Sequence, residues 1–289
     1  NLPQEGEGLD FGCGNGVFTE MLKKALPHWN IYGCDISHVA IKNAKKKNPD
    51  CIFFVSSDVD FKDKKFDFVF SHHVLEHVFD IDATAKEITE KLKPKSSMLH
   101  ILPCGNNGSF EHQLCGLRKD GINKDMGNRF FFEDEGHIRR MTTESCALLF
   151  AKYSFVLKSD FYSNQYHGAV NWITRSNPFL IFKMFNPFKG KDAGAKIKLF
   201  YYFVKLLLIS AVRLPLIIFE RFDNKLLKII FYIPSRVSLP VDKYMIGKSE
   251  EEWKKTKKQP NGSEMYLYFL GRIPRGAAAG MNAARSPDV

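Results

Sequence analysis

Apolar positions in the first hundred residues fall into short runs separated by longer amphipathic stretches. The runs at 7–11, 30–35, 51–55, 66–70 and 97–102 are rich in Phe, Ile, Val and Leu, as strands buried in a sheet are. Between most of them, the stretches 17–26, 37–47 and 81–93 space their apolar residues three and four apart, which gives a helix one apolar face. Strands alternating with helices predict an α/β fold, a parallel sheet with helices on both faces. The stretch 103–136 is rich in Gly and Asn, carries a Phe cluster at 130–132 and shows no clear period; stretches of that kind are usually functional or mobile. A helix over 142–152 and a strand over 154–160 follow. Near the end, Glu264–Leu270 is short, aromatic and bounded by Asn261-Gly262, which predicts a final strand.

The pattern changes between 163 and 260. Leu199–Phe219 is one long apolar run, interrupted by Lys205, Arg213 and Pro215. It is long enough to span a bilayer. Each central basic residue, however, opposes insertion by about 2.5–3.5 kcal/mol, and Pro215 weakens the helix further. On a helical wheel Lys198, Lys205, Arg213 and Glu220 fall within about 80° of one another, which predicts a narrow polar stripe and a broad apolar face. Leu226–Ile233 repeats the theme beside Lys225 and Lys228. Three readings fit: helices lying in a membrane interface, a helical cap packed on the domain, or a true span.

Charge sharpens this division. The net charge of +10 lies entirely within 178–260, which holds 17 of the 42 Lys and Arg but 7 of the 32 Asp and Glu; the other 25 basic and 25 acidic residues balance. An anionic partner is therefore expected for that segment alone. The six cysteines show no C-x-x-C spacing and several sit in apolar runs, so they are expected to be reduced, buried thiols of a cytoplasmic protein. No signal peptide is visible. The chain starts without Met and close to its first strand, so a truncated N-terminus is expected.

The most informative stretch is Leu9-Asp-Phe-Gly-Cys-Gly-Asn-Gly16. Three alternating glycines after an apolar run, with a helix following, form a tight turn open to a ligand. The dinucleotide fingerprint is spaced G-x-G-x-x-G; here the third glycine comes one residue early and position 17 is Val. With Asp10 before it, the turn resembles motif I of the class I S-adenosylmethionine-dependent methyltransferases. The likeness continues through Ile31–Asp35, Ser57-Asp58-Val59, the Val74-Leu-Glu-His-Val78 segment after the fourth strand, Lys91-Leu-Lys-Pro94 and His137–Thr142, from about Leu9 to Asp160. These motifs are similar to those of the subgroup acting on quinone rings and small molecules. Lys95-Ser96 departs from it, because two glycines are commoner there.

The resemblance implies a Rossmann-like, doubly wound, mostly parallel sheet of seven strands, with a helical insertion between strands six and seven. It divides the chain into a core over 1–162, a basic, aromatic-rich insertion over 163–260, a final strand over 261–271 and a tail over 272–289 expected to be disordered. It implies S-adenosyl-L-methionine as cofactor. Gly12, Gly14 and Gly16 would approach its methionine part, Asp10 its amino group and Asp35 the ribose. Ile36 would pack on adenine, Asp58 and Val59 would recognise the adenine edge, and the Ser71 backbone would lie near the amino group. Beside these roles stand simpler ones: Asp35 as a helix N-cap and Asp58 as a turn former.

If the methyl acceptor is a hydroxyl, a base assists, and His72, His73 and His137 are the candidates because the first two follow the fourth strand and the third precedes a helix near the same edge. For each histidine taken singly, a surface or hydrogen-bonded structural role is the commoner one. His72 and His77 stand five apart, whereas zinc pairs on helices stand four apart, so no metal is expected. The sequence therefore points to an O-methyltransferase acting on a small molecule, a lipid or a lipid-linked glycan, with peripheral membrane contact through 195–235. The alternative is a non-catalytic, membrane-associated binding protein on the same fold. No nucleic-acid partner is expected, because the basic residues are interleaved with Phe, Leu and Ile and no base-flipping motif follows strand four.

Overall fold

The computed structural model describes residues 2–176, 179–255 and 260–271. The tail over 272–289, expected to be disordered, lies outside the described residues.

The elements follow the alternation closely: β1 (Glu7–Phe11), α1 (Val17–Ala25), β2 (Asn30–Asp35), α2 (His38–Lys47), β3 (Ile52–Val55), α3 (Val59–Lys62), β4 (Phe66–His72), α4 (Ile81–Glu90) and β5 (Leu92–Pro103). Then come α5 (Phe110–Leu117), the small pair β6 (Ile122–Asn123) and β7 (Arg129–Phe130), α6 (Thr143–Ala151) and β8 (Phe155–Ser163). Helices α7 (His167–Ser176), α8 (Leu180–Met184), α9 (Ala193–Arg221) and α10 (Lys225–Lys255) precede β9 (Glu264–Gly271).

Seven strands form one sheet in the order β3-β2-β1-β4-β5-β9-β8. Pairing is parallel from β3 through β5. The chain winds outward from β1 to β3, returns to place β4 on the other side of β1, and winds outward again. This is the doubly wound, Rossmann-like order, and it leaves a crevice where the order reverses between β1 and β4. Trp29, Ile31, Phe68 and Phe70 pack as one buried cluster, and Cys13, Ile41, Ala44 and Phe53 as another.

Two features were not anticipated. The fourth helix ends at Glu90 and β5 begins at Leu92, because the pairing of β4 with β5 jumps from Phe66↔Leu92 to Phe68↔Ser97. The extra residues bulge, and Lys95 takes a left-handed conformation with φ +63°, a position suited to the glycine it lacks. Second, the 103–136 stretch contains α5, whose N-terminus is capped by Ser109 accepting the His112 N–H at 3.1 Å.

The chain divides into two compact units. One comprises Asn1–Leu102, Thr143–Asp160 and the segment from Tyr266; the other comprises Pro103–Thr142 and Phe161–Met265. The second unit has its own core, in which Phe110, Leu114, Val170, Ile173, Leu199 and Leu206 pack together.

Candidate functional site

The glycine turn joins β1 to α1 at the crevice. Gly12, Gly14 and Gly16 all have positive φ, of 76°, 51° and 80°. A Cβ at Gly12 would stand 2.4 Å from the Val74 side chain, and one at Gly16 would stand 2.6 Å from Asn48. Gly14 differs: no atom lies within 4 Å of where its Cβ would be. Its conformation needs glycine, yet its outer side is open. The turn is tied to β2, since the Gly12 and Cys13 N–H groups both donate to the Cys34 carbonyl at 2.9 Å. The Gly14 N–H donates to Asp35 Oδ2 at 2.9 Å.

Asp10 is 1 % exposed, and its carboxylate accepts the Thr19 hydroxyl at 2.6 Å. Burial pushes its pKa up to about 7; the Thr19 hydrogen bond opposes the rise and the charge of Asp35 adds to it. Asp35 ends β2, partly exposed, and its second oxygen accepts the Ser37 N–H at 2.8 Å. Helix α2 is capped by Ser37 rather than by Asp35. Asp58 follows β3 and accepts the Val55 N–H at 2.9 Å, so its carboxylate also closes a local turn. Ile36 and Val59, one residue past Asp35 and Asp58, are 85 % and 83 % exposed. Both leave apolar surface in the open at the ends of adjacent strands.

At the end of β4, Ser71 is buried and its hydroxyl lies 2.7 Å from Nδ1 of His100, its register partner on β5. Burial holds His100 neutral, with its pKa lowered to about 3. The His72 ring stacks on Phe18 with centroids 4.0 Å apart. His73 takes a left-handed φ of 54°, and its Nδ1 lies 2.8 Å from Oε1 of Glu76, a carboxylate 1 % exposed. Four strand ends thus bring Asp10, the three glycines, Asp35, Asp58 and Ser71 to one edge of the sheet, with His72 and His73 following β4. Thr19 and His100 were not singled out from sequence, and Glu76 only as part of the Val74–Val78 motif. A His within the apolar run Met98–Leu102 and a Thr on the inward face of α1 were the available signals.

His137 belongs to the second unit, with Nδ1 3.6 Å from Glu133 Oε1. There the buried Arg140 ties three segments, reaching Glu133 at 2.6 Å, Glu111 at 2.9 Å and the Cys104 carbonyl at 2.7 Å. A cavity of about 550 Å³ lies in this unit, lined by Phe110, Leu114, Leu117, Lys198, Tyr201 and Tyr202 among others.

The polar stripe predicted on 199–219 is present, and at Arg213 it faces the interior. Arg213 is fully buried: it donates to Asp242 at 2.6 and 2.9 Å, to Thr174 at 2.7 Å and to Asn171 at 2.7 Å. Lys205 donates to the Tyr166 hydroxyl at 2.9 Å. The wheel gave the angles correctly, but this side of the helix meets α7 and α10, which supply polar partners.

A family profile described as "Methyltransferase domain" matches residues 1–159. Among curated relatives, the malonyl-[acyl-carrier protein] O-methyltransferase of Priestia megaterium is 28% identical over 136 residues, 44% of this chain and 49% of that protein. The ubiquinone biosynthesis O-methyltransferase of Pelagibacter ubique is 36% identical over 95 residues, 31% of this chain and 39% of that protein. Among solved structures, the PH0226 protein from Pyrococcus horikoshii aligns with a TM-score of 0.45 and 21% identity, over 56% of this chain and 78% of that one. The chain spans about half or less of the length of these curated relatives.

The chain belongs to the methyltransferase-domain family, and its cofactor is S-adenosylmethionine. The residues present fit that cofactor. The open side of Gly14 admits a ligand where a side chain would otherwise stand. Asp35 offers a partly exposed acid, and Ile36 and Val59 offer uncovered apolar surface for a flat ring.

Proposed function

We propose that this chain transfers a methyl group from S-adenosylmethionine to a hydroxyl of a small, lipid-like molecule, either a lipid or a lipid-linked glycan. The carrying observation is the β1–α1 turn, open at Gly14 and hydrogen-bonded to Asp35. The bound cofactor supplies an electrophilic methyl group. The protein's task is then chiefly to align acceptor and methyl, because an in-line transfer gains most from positioning.

In this reading Asp35 holds the ribose hydroxyls, and Gly12, Gly14 and Gly16 present backbone to the methionine part. Ile36, Asp58 and Val59 flank the adenine, and the Ser71 backbone lies near the amino group. Asp10 orients that amino group and must ionise to attract it. His72, His73 and His137 remain the candidate bases. His73 with Glu76 behind it resembles the base-and-orienter pairing that hydroxyl deprotonation uses. The choice of oxygen as acceptor is supported by the O-methyltransferase names of the relatives in malonyl-carrier and quinone chemistry. The second unit holds a largely aromatic and aliphatic cavity with Lys198 on its wall, which by itself suits an apolar molecule bearing an anionic group. We place the enzyme in the cytoplasm, with 195–235 in contact with a membrane.

The test is transfer of labelled methyl from the cofactor into a lipid extract against a soluble extract of the same cells. Label in the lipid fraction supports the reading. Label only in the soluble fraction refutes a lipid-like acceptor. No transfer to either, by protein that binds cofactor, favours a non-catalytic binding role.

A further inference from the structure

The α9–α10 hairpin is inside out by the rules of water-soluble helices. Between Leu199 and Phe219, the exposed positions of α9 carry no charge; Phe200, Val204, Leu207, Leu208, Val212 and Leu214 are 38–62 % exposed. On α10, Leu226, Ile229, Ile230, Ile233 and Val237 are 53–75 % exposed. Several polar groups of the same stretches turn inward, although Arg236 on α10 is exposed. Arg213 and Asp242 pair at 2.6 Å with Thr174 and Asn171 around them, Ser210 donates to the Thr174 carbonyl at 3.3 Å, and Ser235 and Ser238 are buried.

Only 28% of the most apolar stretch of α9 is buried, whereas the core helix of a soluble domain is mostly buried. On each helix the exposed apolar residues fall on one side of the wheel and the buried ones on the other.

We infer that the outer faces of α9 and α10 lie in the hydrocarbon region of an anionic bilayer, held there by apolar burial, with basic residues at the ends of the apolar stretch gripping the headgroups. This deepens the membrane contact proposed above and replaces its charge stripe with a different physical cause. The apolar stretch of α9 is 21 residues, about 31 Å at 1.5 Å per residue, and charges stand beyond both of its ends. Lys191, Lys196 and Lys198 precede it; Arg221, Lys225 and Lys228 follow it.

Charge also chooses the occupant. A second copy of this chain would bring the same +10 segment against itself, whereas acidic headgroups complement it. The inner faces are already covered by the unit's own core, so the hairpin is embedded from one side and does not cross. On α9 the two residues that would oppose insertion, Lys205 and Arg213, are taken up by Tyr166 and Asp242; on α10 the exposed Arg236 lies 5.3 Å from the Tyr232 ring centroid and has to reach the headgroup level.

The test is flotation of the full chain with vesicles of phosphatidylcholine, with and without phosphatidylglycerol, before and after a high-salt wash. The chain should float with the anionic vesicles and stay with them after the wash. Leu208→Glu combined with Ile233→Glu should lower the bound fraction roughly tenfold or more, because two buried aliphatic contacts are lost. Both positions are exposed, so the variant's circular dichroism and S-adenosylhomocysteine binding should match the parent's. Lys196→Gln combined with Lys225→Gln should reduce recovery on anionic vesicles alone. A chain that salt strips completely, that ignores both vesicle types, or that elutes as a stable dimer broken by the Glu substitutions overturns the inference. Cofactor binding is read separately: its failure would sink the methyltransferase reading and leave the flotation result standing.

Discussion

Helices α2 and α9 sort their side chains in opposite ways. Helix α2 buries Ile41 and Ala44 and shows water Lys42, Lys45, Lys46 and Lys47. Helix α9 buries Ser210 and Arg213 beside its inner aliphatic residues and shows Phe200, Leu207 and Leu208. Both are amphipathic, and a wheel drawn from sequence finds both axes. What it does not reveal is which side is inside. In α2 the apolar side meets a sheet. In α9 the polar side meets Asp242, Asn171 and Thr174, and a buried charge with such partners is tolerated where an isolated one is not.

The strongest way to break this contrast is to remove the buried charge of Arg213. Arg213→Met leaves Asp242 with Arg175 alone and strips Thr174 and Asn171 of a donor, at an expected cost of about 3–5 kcal/mol in denaturant unfolding. Adding Asp242→Leu should recover much of the loss. A single variant as stable as the parent would show that the polar interior of the hairpin does not hold it together.

The core unit makes the complementary prediction, for function rather than stability. If a hydroxyl is the acceptor, replacing the responsible one of His72, His73 and His137 by Ala should lower turnover by about 10²-fold or more, with cofactor affinity kept. Steady-state kinetics with separate binding measurements would show it. Three single variants with parental turnover would mean that another group takes the proton.

The pH dependence of cofactor binding is a subtler probe. Asp10 has a pKa raised to about 7 by burial, so near neutrality it is partly protonated in the free protein. A cofactor amino group must draw it into the ionised form. Affinity should therefore rise with pH up to about 7 and then level off, with proton release on binding, and Asp10→Asn should flatten the profile. The sign for stability is opposite: a raised carboxyl pKa contributes stability below the ordinary carboxylate range that is lost as pH rises through about 7. A binding profile unchanged by Asp10→Asn would remove Asp10 from the site.

The smallest effect concerns the bulge in β5. Lys95 holds φ +63° in a conformation that costs a side-chain-bearing residue about 1–2 kcal/mol. Lys95→Gly should raise the unfolding midpoint slightly and leave cofactor binding alone. A lower midpoint would mean that the Lys95 side chain contributes more than its backbone strain costs.

These cases mark what the sequence made legible. The alternation of runs and amphipathic stretches found the first five sheet strands because buried parallel strands are apolar throughout, which no loop imitates. The glycine turn was legible because positive φ at Gly12, Gly14 and Gly16 admits few other residues. The bulge was not, since nothing in Lys93-Pro-Lys-Ser96 shows that a register jumps. Helix α5 was missed because its eight residues are too few to establish a period. Thr19 was missed because it acts on Asp10, nine residues away, which only folding brings close; Glu76, three residues from His73, was read as part of a motif and not as its partner. That Arg213 faces the interior was not legible, because its partner Asp242 lies on the other arm of the hairpin.

Cofactor capture rests most directly on the turn at Gly14 and the carboxylate of Asp35. Isothermal titration of S-adenosylhomocysteine into the full chain, and into its Asp35→Ala variant, tests it. Binding to the parent, weakened by roughly 1–3 kcal/mol when the charged acceptor is lost, is the result predicted. Equal affinity in the two proteins would remove Asp35 from the site, and no binding by the folded parent would contradict the account as a whole.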